Sequence, residues 1–100
     1  MLRISIVERR NQRRLVLEGN LAAPWAYELE PAYKEASADL NGRELVVDVK
    51  SLVAISEDGQ NVLLELMKAG ARFRCAGVFT KHVLKRLALK IRRNVQEEKG

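Results

Sequence analysis

The stretch LVVDVKSLVAISEDGQNVLLELM, residues 45–67, decides the fold because it joins a buried strand to an amphipathic helix. Residues 44–49, ELVVDV, are almost continuously apolar, which is typical of a strand covered on both faces of a sheet. Residues 50–55 are predicted to connect this strand to the helix. On the helix the apolar residues share one side, at Val62, Leu63, Leu66 and Met67. A buried strand followed by a helix indicates an α/β protein.

Upstream, two strands are predicted to form a hairpin. Residues 2–8, LRISIVE, alternate along the chain as a strand with one buried face does, and residues 14–18, RLVLE, continue the pattern. The connection between them is polar and mostly cationic, which suits a turn. Its arginines are interpreted as a solvated hairpin tip: Arg9, Arg10, Arg13 and Arg14.

A first helix of about four turns is predicted after this hairpin. Gly19 and Asn20 interrupt the strand. Pro24 suits the first turn of a helix, where the backbone N–H that proline lacks would make no intrahelical hydrogen bond. Pro31 should kink the helix or delay its start. The residues expected to face the core recur at spacings of three or four: Trp25, Leu29, Tyr33, Ala36 and Leu40.

Downstream, a fourth strand is predicted over residues 71–78 and a last helix from Lys81 to Val95. Gly70 is expected to end the second helix, and Thr80 to cap the last one. The inner face of that helix carries Val83, Leu84, Leu87, Ile91 and Val95. The order β-β-α-β-α-β-α predicts a mostly parallel central sheet with an N-terminal antiparallel hairpin strand. Residues 1–95 form the domain and residues 96–100 a polar tail.

Composition excludes several classes of protein. A chain of 100 residues has room for one core, and no apolar run approaches the roughly 20 residues that a membrane span needs. The amino terminus lacks a signal-peptide pattern, so a cytoplasmic location is expected. Cys75 is the only cysteine, so an internal disulfide is excluded. We interpret it as a buried strand residue. His82 is the only histidine, and no nucleophile, metal spacing or phosphate-binding loop accompanies it, so no enzyme, metal or cofactor is expected.

The last third of the chain is strongly basic. The net charge is +5, and residues 66–96 contain no Asp or Glu. The favoured interpretation is a solvated helix face, and the alternatives are contact with an acidic protein, an anionic lipid or a nucleic acid. Direct nucleic-acid binding is not expected because the few aromatic residues, among them Trp25, Tyr33 and Phe79, fit core positions.

The segment SEDG, residues 56–59, suits the start of the second helix. Ser56 can accept a hydrogen bond from a free backbone N–H as the N-cap residue. Glu57 and Asp58 then lie in the first turn, where each acidic side chain gains about 0.3–1 kcal/mol from the helix dipole. Capping alone explains this segment.

The wider pattern resembles the STAS domain, named for sulfate transporters and anti-sigma-factor antagonists. The resemblance runs from about Leu2 to Leu89 and rests on RLVLEGNLAAPWAYELEPAY, LVVDVKSLVAISEDGQNVLLELM and ARFRCAGVFTKHVLKRL. Its features are the strand-Gly-X-Leu entry to the first helix, the strand ending in Asp48, and the short segment ending in Gly59 that opens the second helix. The resemblance implies a single STAS-like fold.

In anti-sigma-factor antagonists the corresponding segment usually reads Asp-Ser-Ser/Thr-Gly, and a kinase phosphorylates a hydroxyl in it. Here Ser56 stands at the Asp position, and Glu57 and Asp58 occupy both hydroxyl positions. The usual phosphorylation switch is therefore expected to be missing, unless Ser56 acts as the acceptor. The two acids either imitate a phosphorylated site in part or form a constitutive contact surface, and the second reading is favoured.

The resemblance thus implies a non-enzymatic protein–protein interaction module of bacterial regulation. Its partner would be an anti-sigma-factor kinase or another regulatory protein with an ATPase fold. The alternatives are a STAS subunit of an ABC-type lipid-transport assembly and a small domain that binds an anion such as a nucleotide or a lipid headgroup. The partner-binding residues are expected on the loop of residues 51–59 and the exposed side of the second helix, and they are Ser56, Glu57, Asp58, Gly59, Gln60, Asn61 and Glu65.

Overall fold

The structure is a computed structural model that describes the backbone of residues 1–75 and 77–99 and the side chains of residues 1–75 and 79–92. The strands and helices follow the predicted order. They are β1 Leu2–Glu8, β2 Gln12–Leu21, a 3₁₀ turn Trp25–Glu28, α1 Leu29–Ala36, β3 Glu44–Ile55, α2 Glu57–Lys68, β4 Arg72–Arg74 and α3 Val78–Lys99. The predicted α/β class and element order are confirmed.

One four-stranded sheet forms the centre, in the order β1-β2-β3-β4. β1 and β2 are antiparallel, whereas β2, β3 and β4 are parallel, which confirms the N-terminal hairpin on a mostly parallel sheet. The core lies between the sheet and the helices. Leu15 and Leu17 of β2 are fully buried there, beside Val47 and Val49 of β3.

β2 and β3 run further than the sequence predicts. Residues 50–55, expected to be a connection, belong to β3 and pair with the last residues of β2 up to Leu21↔Ile55. The ladder shifts register near Gly19, which has φ of +98° and leaves no room for a Cβ beside the Met1 carbonyl. The predicted strand end at Gly19 and Asn20 is therefore wrong, because these residues mark an irregularity inside β2.

The first helix is shorter than predicted. Trp25–Glu28 forms a 3₁₀ turn and α1 covers Leu29–Ala36, so Leu40 lies beyond the helix. Pro31 falls in the first turn of α1, where a missing N–H is tolerated, and the expected delay of the helix is confirmed. Trp25 is 38% exposed and does not belong to the core stripe, which corrects its predicted burial.

The last two elements also differ from their predicted bounds. Among the described residues β4 covers only Arg72–Arg74 at the sheet edge instead of residues 71–78, and half-buried Cys75 follows it. Ala76 of the predicted strand lies outside the described residues. α3 begins before and ends after the predicted Lys81–Val95, so Thr80 lies inside it and is not its cap. Val83 and Leu87 are buried and Phe79 is exposed, against its predicted core position. The Val95 side chain and Gly100 lie outside the described residues.

α2 has the ends that the sequence predicts. Ser56 is its N-cap. At the other end Gly70 has φ of +90°, and the Ala71 N–H donates to the Leu66 carbonyl at 3.0 Å. This arrangement satisfies carbonyl groups that the end of a helix leaves free.

Arg13 of the hairpin is a structural residue, which corrects its interpretation as part of a solvated tip. Its guanidinium donates to Ala36 O at 2.8 Å and Ala38 O at 2.6 Å, and it pairs with the Glu8 carboxylate. Arg43, just before β3, also pairs with Glu8. The hydrogen bond from Arg13 is the main cause that lowers the pKa of Glu8, and the same bond raises the pKa of Arg13. The hairpin is thus fastened to the end of α1.

No helix in the described part of the chain combines the length and apolarity that crossing a membrane requires. The division into a domain of residues 1–95 and a tail of residues 96–100 stays a prediction, and the backbone of α3 is helical to Lys99.

Candidate functional site

Ser56 holds the start of α2 against the end of β2. Its hydroxyl accepts a hydrogen bond from the Gly59 N–H at 3.2 Å and donates to the Leu21 carbonyl at 3.3 Å. Its own N–H donates to the same carbonyl at 3.0 Å. Because the hydroxyl is used both as donor and as acceptor, a phosphate on Ser56 would break the cap and the contact with β2.

Glu57 and Asp58 occupy the first turn of α2, as predicted, but their surroundings differ. Glu57 is exposed, whereas Asp58 is half-buried and accepts a hydrogen bond from the Tyr27 hydroxyl at 3.2 Å. This hydrogen bond and the charge of Asp58 raise the pKa of Tyr27, because an adjacent carboxylate disfavours the phenolate. Of these two carboxylates, that of Glu57 has no hydrogen-bond or ion-pair partner among the described side chains and can meet an outside group.

Gly59 is the point of closest approach between α2 and the sheet. It is buried, and an added Cβ would overlap the Leu21 carbonyl oxygen and lie 2.9 Å from Leu21 Cγ. The backbone at residue 59 is helical and not left-handed, so any residue could adopt its conformation. Glycine is needed here because of the close packing. Ser56 and Gly59 therefore set the position of the helix start and expose little surface of their own.

The outer side of α2 carries the remaining predicted residues. Asn61 and Glu65 are exposed and follow Glu57 at a spacing of four, which places all three on one face. Glu65 pairs with Lys68 at 3.5 Å, an exposed contact of small energetic weight. Gln60 is half-buried at the border of this face. The structure thus brings Glu57, Asn61 and Glu65 together.

The sequence reasoning missed the aromatic residues beside α2. The 3₁₀ turn packs against α2 and presents Trp25, 38% exposed, and Tyr27, 59% exposed. Val53, near the end of β3, is 73% exposed. A signal was available for Tyr27, because it falls off the stripe of apolar residues at helical spacing. Exposed Trp and Tyr are the side chains that most often dominate the energy of protein interfaces.

We call the residues on this side the contact face, defined as Trp25, Tyr27, Glu57, Asn61 and Glu65. Within the described residues no three His, Cys, Asp or Glu side chains gather as metal ligands would. Every buried polar side-chain atom described there has a hydrogen-bond partner. The arrangement offers aromatic surface and the exposed Glu57 carboxylate beside a rigid helix start, which are features that a protein partner can bind.

No protein-family model and no curated protein matches the chain. A solved structure of Mglu is similar to 74% of the chain with 17% identity and a TM-score of 0.55, and the chain spans 19% of the length of that protein. The chain is also similar to an uncharacterized protein from the DUF3478 family of Shewanella loihica PV-4, described as having a SpoIIAA-like fold. That match has 17% identity, a TM-score of 0.54, and covers 79% of this chain and 71% of the other.

These identities are too low to carry a shared activity, but both alignments extend over most of the chain. The resemblance to the STAS domain is confirmed at the level of the fold alone, because the chain shares the fold of a structure described as SpoIIAA-like.

Proposed function

We propose that this protein is a non-enzymatic protein–protein interaction module of bacterial regulation, which binds its partner through the contact face. The observation that carries the proposal is the start of α2. There Ser56 and Gly59 fix the backbone against Leu21, while Glu57 and two aromatic residues are left exposed. A rigid, partly aromatic surface of this kind binds at low cost in conformational entropy.

The favoured partner is a protein with an ATPase fold, such as an anti-sigma-factor kinase, and its surface should be basic. Glu57 and Glu65 share the exposed face of α2, and both would attract lysine or arginine. The module is not switched by phosphorylation, because the only hydroxyl in SEDG belongs to Ser56 and is tied to Gly59 and Leu21.

The contact face is tested by titrating candidate ATPase-fold regulators of the source cell against a charge-reversed variant. Glu57→Lys/Glu65→Lys should weaken binding by about tenfold or more, because rim charges govern association with a basic partner. The matched control is Glu30→Lys/Glu44→Lys, which makes the same change in net charge at exposed acids elsewhere. Equal losses in the two variants would mean that the contact face is not the binding surface.

The absence of the switch is tested separately by intact mass after incubation with ATP and a partner kinase. The mass of the wild type should not change. Glu57→Ser/Asp58→Ser returns hydroxyls to the two positions where the STAS resemblance expects them, and this variant should gain one phosphate. Stoichiometric phosphate on Ser56 of the wild type would contradict the proposed constitutive module.

A further inference from the structure

A second surface feature lies far from SEDG along the chain, at the β4 edge of the sheet. It is a groove bounded by the end of α2, by β4 and by the first turns of α3. Its volume is about 600 Å³, within the range of roughly 300–1,000 Å³ that small-molecule sites occupy. The lining residues are Met67, Phe73, Cys75, Lys81, His82, Leu84, Lys85 and Ala88.

The floor of this groove is apolar and stays open because the sheet ends there. β4 has three residues and no neighbour on its outer side in the described sheet. Phe73 of β4, Met67 of α2 and Leu84 of α3 pack against the core but are only half-buried. Methionine adapts its shape readily, so such a floor can follow the outline of a flexible hydrocarbon chain.

The rim of the same groove is cationic. Lys81 and Lys85 are one helical turn apart on α3 and both are exposed. None of the ion pairs formed by the described side chains includes either lysine. The chain has no Asp or Glu from residue 66 to residue 96, so nearby sequence supplies no competing carboxylate. Two lysines without an ion-pair partner among the described side chains, beside an apolar floor, complement an anion attached to a hydrocarbon chain.

The other edge of the sheet has a groove of opposite charge. It lies between β1 and α1, has a volume of about 500 Å³, and is lined partly by Ile4, Ile6 and Leu15. Its charged lining residues are Glu28 and Glu35. The acidic groove also exposes less apolar surface than the groove at β4, so charge and apolar surface both favour the β4 groove as the site of an anionic ligand with a hydrocarbon chain.

We infer that the groove between α2, β4 and α3 binds a free long-chain fatty acid as its monomeric carboxylate. The carboxylate pairs with Lys81 and Lys85, and the hydrocarbon chain lies along Met67, Phe73 and Leu84. Binding at this groove is independent of the contact face, because none of the residues that line the groove belongs to that face. The two proposals can therefore fail separately.

The first test compares two ligands with the same twelve-carbon chain and opposite charge. Laurate and dodecyltrimethylammonium, each below its critical micelle concentration, are titrated against the full chain by calorimetry. Laurate should bind about tenfold more tightly than the cation because two lysines face the head group. Shortening laurate to octanoate should weaken binding by about fourfold for each methylene that leaves the groove.

Two variants assign the binding to this groove. Lys81→Glu/Lys85→Glu should weaken the binding of laurate by about tenfold. The matched control Lys34→Glu/Lys50→Glu, at exposed lysines elsewhere, should leave laurate binding unchanged. Ala88→Trp fills the groove from an exposed position of α3 and should abolish laurate binding. Circular dichroism confirms that each variant is folded, and the affinity of the protein partner should be unchanged.

The inference is overturned by equal affinity for the two head groups, or by laurate binding that survives both Ala88→Trp and the lysine reversal. It is also overturned if monomeric laurate does not bind while vesicles of phosphatidylglycerol do. That result would indicate that α3 meets a membrane surface and not a free fatty acid.

Discussion

The two ends of the parallel strands β2 and β3 both carry charged loops, but the charges have different partners. At the amino end, Arg13 and Arg43 bind Glu8 and nearby backbone carbonyls. At the carboxyl end, the backbone around Ser56 and Gly59 is tied to Leu21, while the Glu57 carboxylate has no partner among the described side chains. The charged side chains at the amino end thus stabilise the fold, whereas the Glu57 carboxylate at the carboxyl end is available for binding.

This difference shows how a charged residue can be assigned to structure or to function. A charge whose hydrogen bonds are all made within the fold, such as that of Arg13, contributes stability. A charge held on a rigid backbone without an internal partner, such as that of Glu57, is free to bind. Substitutions at the two ends should therefore separate loss of stability from loss of binding.

The largest loss of stability is expected at the carboxyl end, from Gly59→Ala. The new Cβ would overlap the Leu21 carbonyl oxygen, so α2 must shift, and the free energy of unfolding should fall by about 3 kcal/mol. The matched control at the amino end is Gly42→Ala, which has open space around it and φ of +84°. Strain alone should cost that variant about 1 kcal/mol. Denaturant unfolding measures both, and equal losses would contradict the close packing at Gly59.

At the amino end, Arg13→Met should give the next largest loss of stability. It keeps an unbranched side chain but removes the bonds to Ala36 O, Ala38 O and Glu8. The control is Arg10→Met at the exposed hairpin tip, which should leave the denaturation midpoint unchanged. If both variants unfold at the same denaturant concentration, the hairpin is not fastened to α1 by Arg13.

Ser56→Ala should lower the free energy of unfolding by about 1 kcal/mol, the usual effect of losing an N-cap. Ser51→Ala, at an exposed serine of β3, should change it by less than about 0.5 kcal/mol. Chemical denaturation distinguishes the two. A Ser56→Ala protein as stable as the wild type would show that the Gly59 N–H finds another partner.

The smallest effect is a shift in titration at the border of the contact face. Asp58 raises the pKa of Tyr27 from its ordinary value of 10.0, so the hydrogen bond stabilises the fold below that pH. This stabilisation is lost as the pH rises through the raised pKa of the folded state. Asp58→Asn should move the pKa of Tyr27 back toward 10.0, as followed by NMR of the tyrosine Cζ.

The control for this shift is Glu57→Gln, which removes the neighbouring charge and keeps the hydrogen bond between Tyr27 and Asp58. The Tyr27 titration should be nearly unchanged in that variant. An equal change in both variants would mean that the general field of the acidic pair, and not the bond to Asp58, raises the pKa.

Local patterns were sufficient to predict the order of elements and the start of α2. The apolar run at residues 44–49, the spacing of Val62, Leu63 and Leu66, and the capping residue Ser56 each depend on neighbours within a few positions. Helix starts and buried strands carry such local signals, and the structure confirms these predictions.

The features that were missed depend on residues far apart in the chain. Residues 50–55 are a strand because β2 continues beside them to Leu21, and Arg13 is structural because the end of α1 lies against it. Trp25 is exposed because a 3₁₀ turn, and not a regular helix, holds it. No periodicity within the sequence reports contacts of this kind.

The shared bond to the Leu21 carbonyl also has a consequence for the order of events in folding. Ser56 is 35 positions from Leu21, so the helix start can take its place only after β2 and β3 have paired. The contact face is therefore absent from a nascent or unfolded chain. A partner that binds it selects the completed domain, and by mass action its binding holds that domain folded.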